Sequence, residues 1–362
     1  MSRMPALPFD ESRPPFVTVL IVSYNGMKHL GPCLDSVLDQ DFPRDHYGVM
    51  VIDNASRDGS ADFVEKNYPA VEVVRMGQNY GPNRALTLVG DRLHTKYVAY
   101  LNQDVVTQRR WLAELWEVIQ SHPNAGVVES NMILPSWPEF KGMRREGLIE
   151  RAYVCDVSAW GTHEFRIIPV TPTSPPVPVL AVYGAGTLSN LEILGALDHA
   201  LDPDFFAYED DLDLGLRLNT AGYQVLLAPR SVVYHDTDWN FKWDLRSIRR
   251  SLWTTENCII AFYKSSYWGE FLFILPHILM GKLIKAGQPH RGLPAKLFYA
   301  GLATPLLLFG LARALVRLPH FSGRRSRTLA QRKKPRGWLV NRLLNGGWEP
   351  DPAAQANRPE SA

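Results

Sequence analysis

The apolar positions of this chain fall first into short continuous runs and later into long helical ones. Residues 16–23 (FVTVLIVS) are nearly unbroken and β-branched, which is how a strand buried on both faces reads. Tyr24-Asn25-Gly26 breaks the run. Leu30, Leu34, Val37 and Leu38 then recur at helical spacing, and Pro43 marks the exit. Residues 49–52 (VMVI) predict a second buried strand that ends at Asp53, followed by a turn over 54–60 and a short helix. Residues 71–74 and 97–101 predict two more strands with a helix around 85–93 between them. A helix over 111–120 precedes a fifth strand from Gly126. This alternation predicts an α/β domain with a mainly parallel sheet. In such sheets ligands bind beyond the carboxyl ends of the strands.

The pattern then changes twice. Residues 135–178 hold a charged part (141–151) and five prolines between Pro169 and Pro178. That density excludes regular elements. The segment reads either as a plain surface insertion or as a mobile loop over an acceptor. A strand resumes over 179–183, and Gly184-Ala185-Gly186 admits a close backbone approach. Residues 205–217 (FFAYEDDLDLGLR) pack Glu209, Asp210, Asp211 and Asp213 into five positions between aromatic and leucine-rich sequence. A helix starting near Glu209 puts these acids in its first turn, where the dipole favours negative charge. Asp210 and Asp213 share a face, Asp213 pairs with Arg217 one turn on, and Asp211 points elsewhere. A strand over 223–227 and a segment over 229–235 lead out to His235.

From Trp239 aromatic residues (Trp243, Trp253, Tyr263, Tyr267, Trp268) are spread among basic ones. Residues 271–284 and 297–316 are apolar helices. The run 297–312 is uncharged but interrupted by Pro305, short of the roughly 20 residues that span a bilayer. Flanking Lys282, Lys285, Lys296, Arg313 and Arg317, and a basic stretch from Arg324 to Arg342, fit a membrane interface. The alternative is a soluble helical subdomain. The expected division is a disordered 1–14, a catalytic domain over 15–240 containing the Pro-rich insertion 135–178, a helical membrane-interface region over 241–320, and a basic, largely disordered tail over 321–362.

Composition narrows the picture little. The net charge of +2 over 362 residues does not call for a nucleic-acid partner. Cys33, Cys155 and Cys258 are odd in number and form no metal or disulfide framework, which fits a reducing, cytoplasmic setting.

Four polar clusters end strands of the one sheet: Asp53 with Asp58, Asn102-Gln103-Asp104, the Asp210–Asp213 group and His235. Carboxylates and an imidazole without cysteine fit a hard divalent ion, Mg2+ or Mn2+, which shares its sphere with substrate phosphates. No Gly-x-x-x-x-Gly-Lys-Ser/Thr or Gly-x-Gly-x-x-Gly loop is present. The phosphates would then rest on the metal. Asp53 can accept a hydrogen bond from a nucleobase, and a carboxylate free of the metal can act as general base.

As an ordered set, residues 17–26 (VTVLIVSYNG), 51–60 (VIDNASRDGS), 79–85 (NYGPNRA), 101–104 (LNQD), the 205–217 block and Tyr234-His235 resemble family 2 glycosyltransferases, in their rhamnosyltransferase-like branch. The resemblance covers roughly residues 16–240. It implies a GT-A fold and an inverting transfer of sugar from a UDP-, dTDP- or GDP-linked donor. By the same resemblance Ser23, Tyr24, Asn25, Asp53, Asp58, Asn79, Asn83 and Asn102 face the nucleotide-sugar, and Asp104 and His235 hold the metal. The acceptor base is Asp211 by register from Arg217, or Asp210 by the letters Glu-Asp. Asn102 stands where the family's metal motif has Asp, one charge fewer. The Gln-x-x-Arg-Trp of the processive synthases has no counterpart, since residues 249–253 read RRSLW. The resemblance therefore implies addition of one or few sugars to a polysaccharide or lipid-linked acceptor at the inner membrane surface, by an enzyme peripheral on its cytoplasmic face. A non-catalytic assembly partner and a nucleotidyltransferase remain the competing readings.

Overall fold

The computed structural model describes residues 14–134, 144–197, 199–236, 244–287 and 293–345. The disorder expected over 1–14 falls outside these residues apart from Pro14, as do the expectations for Lys141, Trp239, Trp243 and the segment past Trp348.

Strands β1 (Val17–Ser23), β2 (Tyr47–Asp53), β3 (Glu72–Arg75) and β4 (Tyr97–Asn102) form where the apolar runs predict them, with helices α1 (Met27–Leu38), α2 (Ser60–Asn67) and α3 (Pro82–Leu88) between. The short β5 (Val105–Thr107), α4 (Trp111–Ser121) and β6 (Ala125–Ile133) follow. The insertion departs from expectation. It carries an antiparallel hairpin of β7 (Arg151–Val157) and β8 (His163–Pro169), paired from Arg151 with Pro169 to Val157 with His163. The prolines begin only where β8 ends, so they terminate the hairpin without disrupting it. Within the Pro-rich part, Val177–Pro178 adds β9 to the sheet, an edge position where the missing N–H costs nothing.

Residues 179–183 do not form the expected strand. The strand is β10 (Gly186–Asn190), which continues into α5 (Leu191–Ala196). Gly186 is where the close approach occurs: a Cβ there would meet Val233 Cγ1 at 2.9 Å. Helix α6 (Asp210–Thr220) carries the acids, and the two segments expected at 223–227 and 229–235 are one bulged strand, β11 (Gln224–His235).

The sheet runs β3-β2-β1-β4-β10-β6-β11-β5, with β9 also on β11. It is mixed and mostly parallel: β10 enters antiparallel between β4 and β6. The reversal places residues 183–185, which precede β10, at the carboxyl edge of its neighbours. Helices α1 and α4 cover one face, and α3, α5 and α6 cover the other.

The C-terminal part is helical: α7 (Leu245–Ser265), α8 (Trp268–Gly287), α9 (Leu293–Gln331) and α10 (Trp338–Leu344). Helix α9 runs 39 residues straight through Pro305 and Pro319, so Pro305 does not interrupt it. The basic tail is ordered through residue 345. Its arginines find acids far away in sequence. The Arg332 side chain is buried against Glu270 at 2.7 Å. Before the tail, Arg313 reaches Glu256 at 2.6 Å. Arg324 contacts both Asp202 and Asp204.

Helix α6 is the joint between the two parts. Leu214 and Leu218 face the sheet, while Leu212 and Leu216 face α7, α8 and α9. Gly215 permits the contact with residues 180–182, since a Cβ there would lie 2.6 Å from the Leu180 carbonyl. Asp213 pairs with Arg217 at 2.8 Å as the spacing predicts. It also receives Lys264 of α7, whose fully buried ammonium lies 2.6 Å from Asp202 and 2.8 Å from Asp213. Removing one partner of a buried ion group strands the others. Lys264→Met is therefore expected to lower the unfolding free energy by about 3–5 kcal/mol, read from the urea midpoint. A loss below about 1 kcal/mol would show that Arg217 and Arg324 suffice.

Candidate active site

The carboxyl ends of the central strands form one polar edge. Register pairs Ser23 with Asp53 and Val22 with Asn102, so three of the expected residues stand side by side. Gln103 ties them together: its Oε1 accepts from Ser23 Oγ at 2.8 Å and from the Tyr24 amide at 3.0 Å. Asp53 is buried and accepts from the Ser56 amide at 3.3 Å. Asn25, at φ 51°, clasps the same turn, giving its N–H to Ser56 Oγ and accepting from the Arg57 amide. Tyr24 is exposed.

Asp58 and Asn79 accept through their side-chain oxygens. Asp58 accepts from the backbone amides of Met27 and Ser60, and Asn79 from the Gly81 amide and the Asn54 side chain. Both fix the loops that border the edge. Asn83 lies deeper, donating to the Phe205 carbonyl at 2.9 Å and lining the same cavity as Asp210.

Asp104 and His235 meet at the end of β11, with Nε2 of the imidazole 3.1 Å from Oδ1 of the carboxylate. Asn102 Nδ2 lies 3.3 Å from the same Nε2. Burial raises the Asp104 carboxyl, but the hydrogen bond and charge of His235 outweigh it and leave it below its ordinary value. These residues fit a hard divalent ion. The donor set is oxygen and imidazole, and the separation is that of neighbouring ligands about 2.1 Å from one octahedral centre, ~3 Å. A second group of ligand-type side chains, His199, Asp202 and Asp213, lies within 4.8 Å. There the Lys264 ammonium fills the position a cation would take.

The acids of α6 face the same edge. Tyr100 of β4 lines one cavity with Asp210 and Asp211, and its hydroxyl is pushed up by burial and then by the charges of Asp210, Asp104 and Asp211. Asp210 and Asp211 stand over this apolar cavity of about 90 Å3, walled by Leu20, Leu86, Val98, Val127 and Leu214. Burial, then the charge of Asp211, pushes Asp210 up to about 7. Burial raises Asp211 too, against the lowering effect of His163.

Several residues here carry no motif. His163, from the hairpin, sits 3.2 Å from Glu209, and Lys282 of α8 approaches the other oxygen at 3.4 Å. Burial works against the Glu209 charge, but Lys282 and then His163 hold its carboxyl at about 2. Glu129, buried in β6, accepts the Tyr183 amide at 2.6 Å, and burial holds its carboxyl well above the usual range. A lone lysine on an apolar helix is the one sequence signal that points to Lys282. His163 and Glu129 give none, because their partners are distant in the chain.

The chain matches, over residues 18–146, the model described as Glycosyl transferase family 2. It is 29% identical over 101 residues to Glycosyltransferase AglE of Haloferax volcanii, 27% of this chain and 33% of that protein. It is 25% identical over 236 residues to the N-acetylglucosaminyl-diphospho-decaprenol L-rhamnosyltransferase of Mycobacterium tuberculosis, 60% of this chain and 75% of that one. The match thus spans about a third of the first of these curated relatives and three quarters of the second. Among solved structures, a mannosyltransferase from Pyrobaculum calidifontis in complex with GDP-Man and Mn2+ superposes with a TM-score of 0.52 at 18% identity, covering 94% of this chain and 92% of that one. The fold is GT-A.

A carboxyl whose folded pKa is raised costs stability once it ionises. For Asp210 that cost sets in as pH rises from 3.8 through about 7. Asp210→Asn is therefore expected to gain thermal stability relative to the wild type across that interval. A difference independent of pH, in melts from pH 4 to 8, would count against the assigned burial.

Proposed function

We propose that this protein transfers one sugar at a time, with inversion, from a nucleotide-sugar to a hydroxyl of a lipid-linked or polysaccharide acceptor at the cytoplasmic face of a membrane. The observation that carries the reading is that β4 borders both groups: Tyr100 lines one cavity with Asp210 and Asp211, and Asn102, at the end of the same strand, contacts His235, which is paired with Asp104.

In this reading the base and ribose lie against Ser23, Tyr24, Asn25 and Asp53, with Asn102 toward the diphosphate. Asp58, Asn79 and Asn83 hold the loops around them. Asp104 and His235 would hold Mg2+ or Mn2+. Bound there, the ion neutralises the charge of the departing diphosphate. Asp211 takes the acceptor proton as the hydroxyl oxygen bonds to the anomeric carbon. The bond from that carbon to the diphosphate breaks on the opposite face, so a single displacement inverts the centre. Asp210, near neutrality in pKa, is protonated for part of the working range and limits repulsion between the two carboxyls. The mycobacterial relative's name specifies a decaprenol-linked acceptor, which supports the lipid-linked alternative.

The membrane part rests on α8 and α9. Leu272, Phe273, Phe298, Leu308, Phe309 and Val316 are exposed apolar side chains. One helical stretch, 297–331, is long and apolar enough to cross a bilayer by length and composition. Its C-terminal half is bound to α7 through Arg313 and Arg317 and to the loop before the acids through Arg317 and Arg324. That leaves an apolar half of about 24 Å at 1.5 Å per residue, which fits shallow insertion better than a full span.

Three measurements test these readings. Thermal shift with UDP-, dTDP- and GDP-sugars should show stabilisation that requires Mn2+ and is lost in Asp104→Ala, because a ligand of the folded state raises the melting temperature by mass action. With the stabilising donor, Asp211→Asn should lower turnover about 10^2-fold or more while Asp210→Asn is milder. The reverse order would move the base to Asp210. Co-sedimentation with anionic phospholipid vesicles should capture the wild type and fail for the double variant Phe298→Ser, Phe309→Ser. Equal capture of both would remove the apolar face from the reading.

A further inference from the structure

The acidic helix begins in an unusual way. Tyr208 and Glu209, the two residues before Asp210, both adopt left-handed backbone, with φ of 69° and 62°. Neither is glycine. Consecutive left-handed residues with side chains store strain, and they persist only where the surroundings over-determine them. Here the surroundings come from outside the catalytic sheet. Asn257 of α7 donates its side-chain amide to the carbonyls of Ala207 at 3.1 Å and Tyr208 at 2.9 Å. Lys282 of α8 reaches Glu209 Oε1 and is itself held by the Thr254 carbonyl at 3.0 Å. His163 of β8 binds Glu209 Oε2.

The hairpin that brings His163 is itself seated on α8. A Cβ on Gly281, the residue before Lys282, would lie 2.6 Å from Trp160 Cβ. One on Gly161 would lie 2.8 Å from Ile278 Cγ1. Lys285 of the same helix donates to the His163 carbonyl. The hairpin tip and α8 therefore grip the two oxygens of Glu209 as one unit, while α7 grips the carbonyls on its N-terminal side.

We infer that Asn257, Lys282 and His163 are positioning residues for the transfer. They clamp the left-handed turn at Tyr208-Glu209 and so set where Asp210 and Asp211 stand over the donor. The C-terminal helices then act as part of the catalytic machinery as well as an attachment surface. This inference rests on the proposed base assignment to the Asp210–Asp211 pair. A displacement of about 1 Å at reacting groups costs up to about 100-fold in rate, so a modest relaxation of the turn is enough to register.

The test compares the wild type with Lys282→Met, Lys282→Arg and Asn257→Ala in the full chain. Peptide-level hydrogen exchange over residues 207–213 is the readout that needs no substrate. Lys282→Met and Asn257→Ala should exchange there about tenfold faster, with residues 214–220 unchanged as the internal reference, and Lys282→Arg should restore protection. Turnover of whichever UDP-, dTDP- or GDP-sugar stabilises the wild type should fall about 10- to 100-fold in Lys282→Met, with donor KM within about twofold. Wild-type exchange across 207–213 in both substitutions overturns the clamp. Faster exchange with wild-type turnover overturns its catalytic role. Failure of the base assignment appears separately, as wild-type turnover in both Asp210→Asn and Asp211→Asn.

Discussion

A buried lysine holds this molecule together. The Lys264 ammonium has no exposure and lies between Asp202 and Asp213, with Arg217 and Arg324 completing the group. Burying so many charges is expensive unless each is paired, and here they are spread over three helices and a loop. Asp213 and Arg217 are on α6, Lys264 on α7 and Arg324 on α9, while Asp202 lies in the loop before the acids. The pairing works only when the C-terminal helices sit on α6. That requirement fixes where α6 lies against the sheet, and α6 carries the two carboxylates of the candidate site.

The sheet supplies the other half of the site. Strands β1, β2 and β4 deliver Ser23, Asp53 and Asn102 to one edge in register. The antiparallel β10 brings residues 183–185 to that edge, and β11 crosses the sheet to deliver His235 beside Asp104. An imidazole and a carboxylate about 130 residues apart in the chain become hydrogen-bonded neighbours by strand order alone. The acids of α6 then approach from the opposite direction. The low dielectric of the apolar cavity beneath them shifts their protonation.

The helices after residue 244 have two faces. One is apolar and exposed along α8 and the first half of α9. The other is knitted to the catalytic part by Arg317 and Arg324, which reach Asp204 and Asp202, while Arg313 and Arg332 tie α9 and the residues after it to α7 and α8. The same helix α8 that exposes Leu272 and Phe273 also sends Lys282 to Glu209. The proposed surface attachment and the proposed placement of the acids thus share one helix.

The sequence by itself determined the α/β class, the first four strands and the helix that carries the acids. Strands buried on both faces must be continuous apolar runs, and an acidic first turn with a one-turn Asp213–Arg217 spacing is a local signal. It also determined which polar residues stand at strand ends, because each follows its own strand directly. Tertiary structure alone decided the rest. The β7–β8 hairpin was hidden because its second strand is half exposed and lies beside prolines. Strand β10 was misplaced by several residues, since its pairing with β4 and β6 sets its start. The tail was expected to be largely disordered because the acids that hold its arginines lie some 60 to 120 residues away, and no window of local sequence contains both partners. The clamp on Tyr208-Glu209 belongs to the same class. Left-handed backbone at two non-glycine residues is disfavoured locally and exists only because α7, α8 and the hairpin converge there.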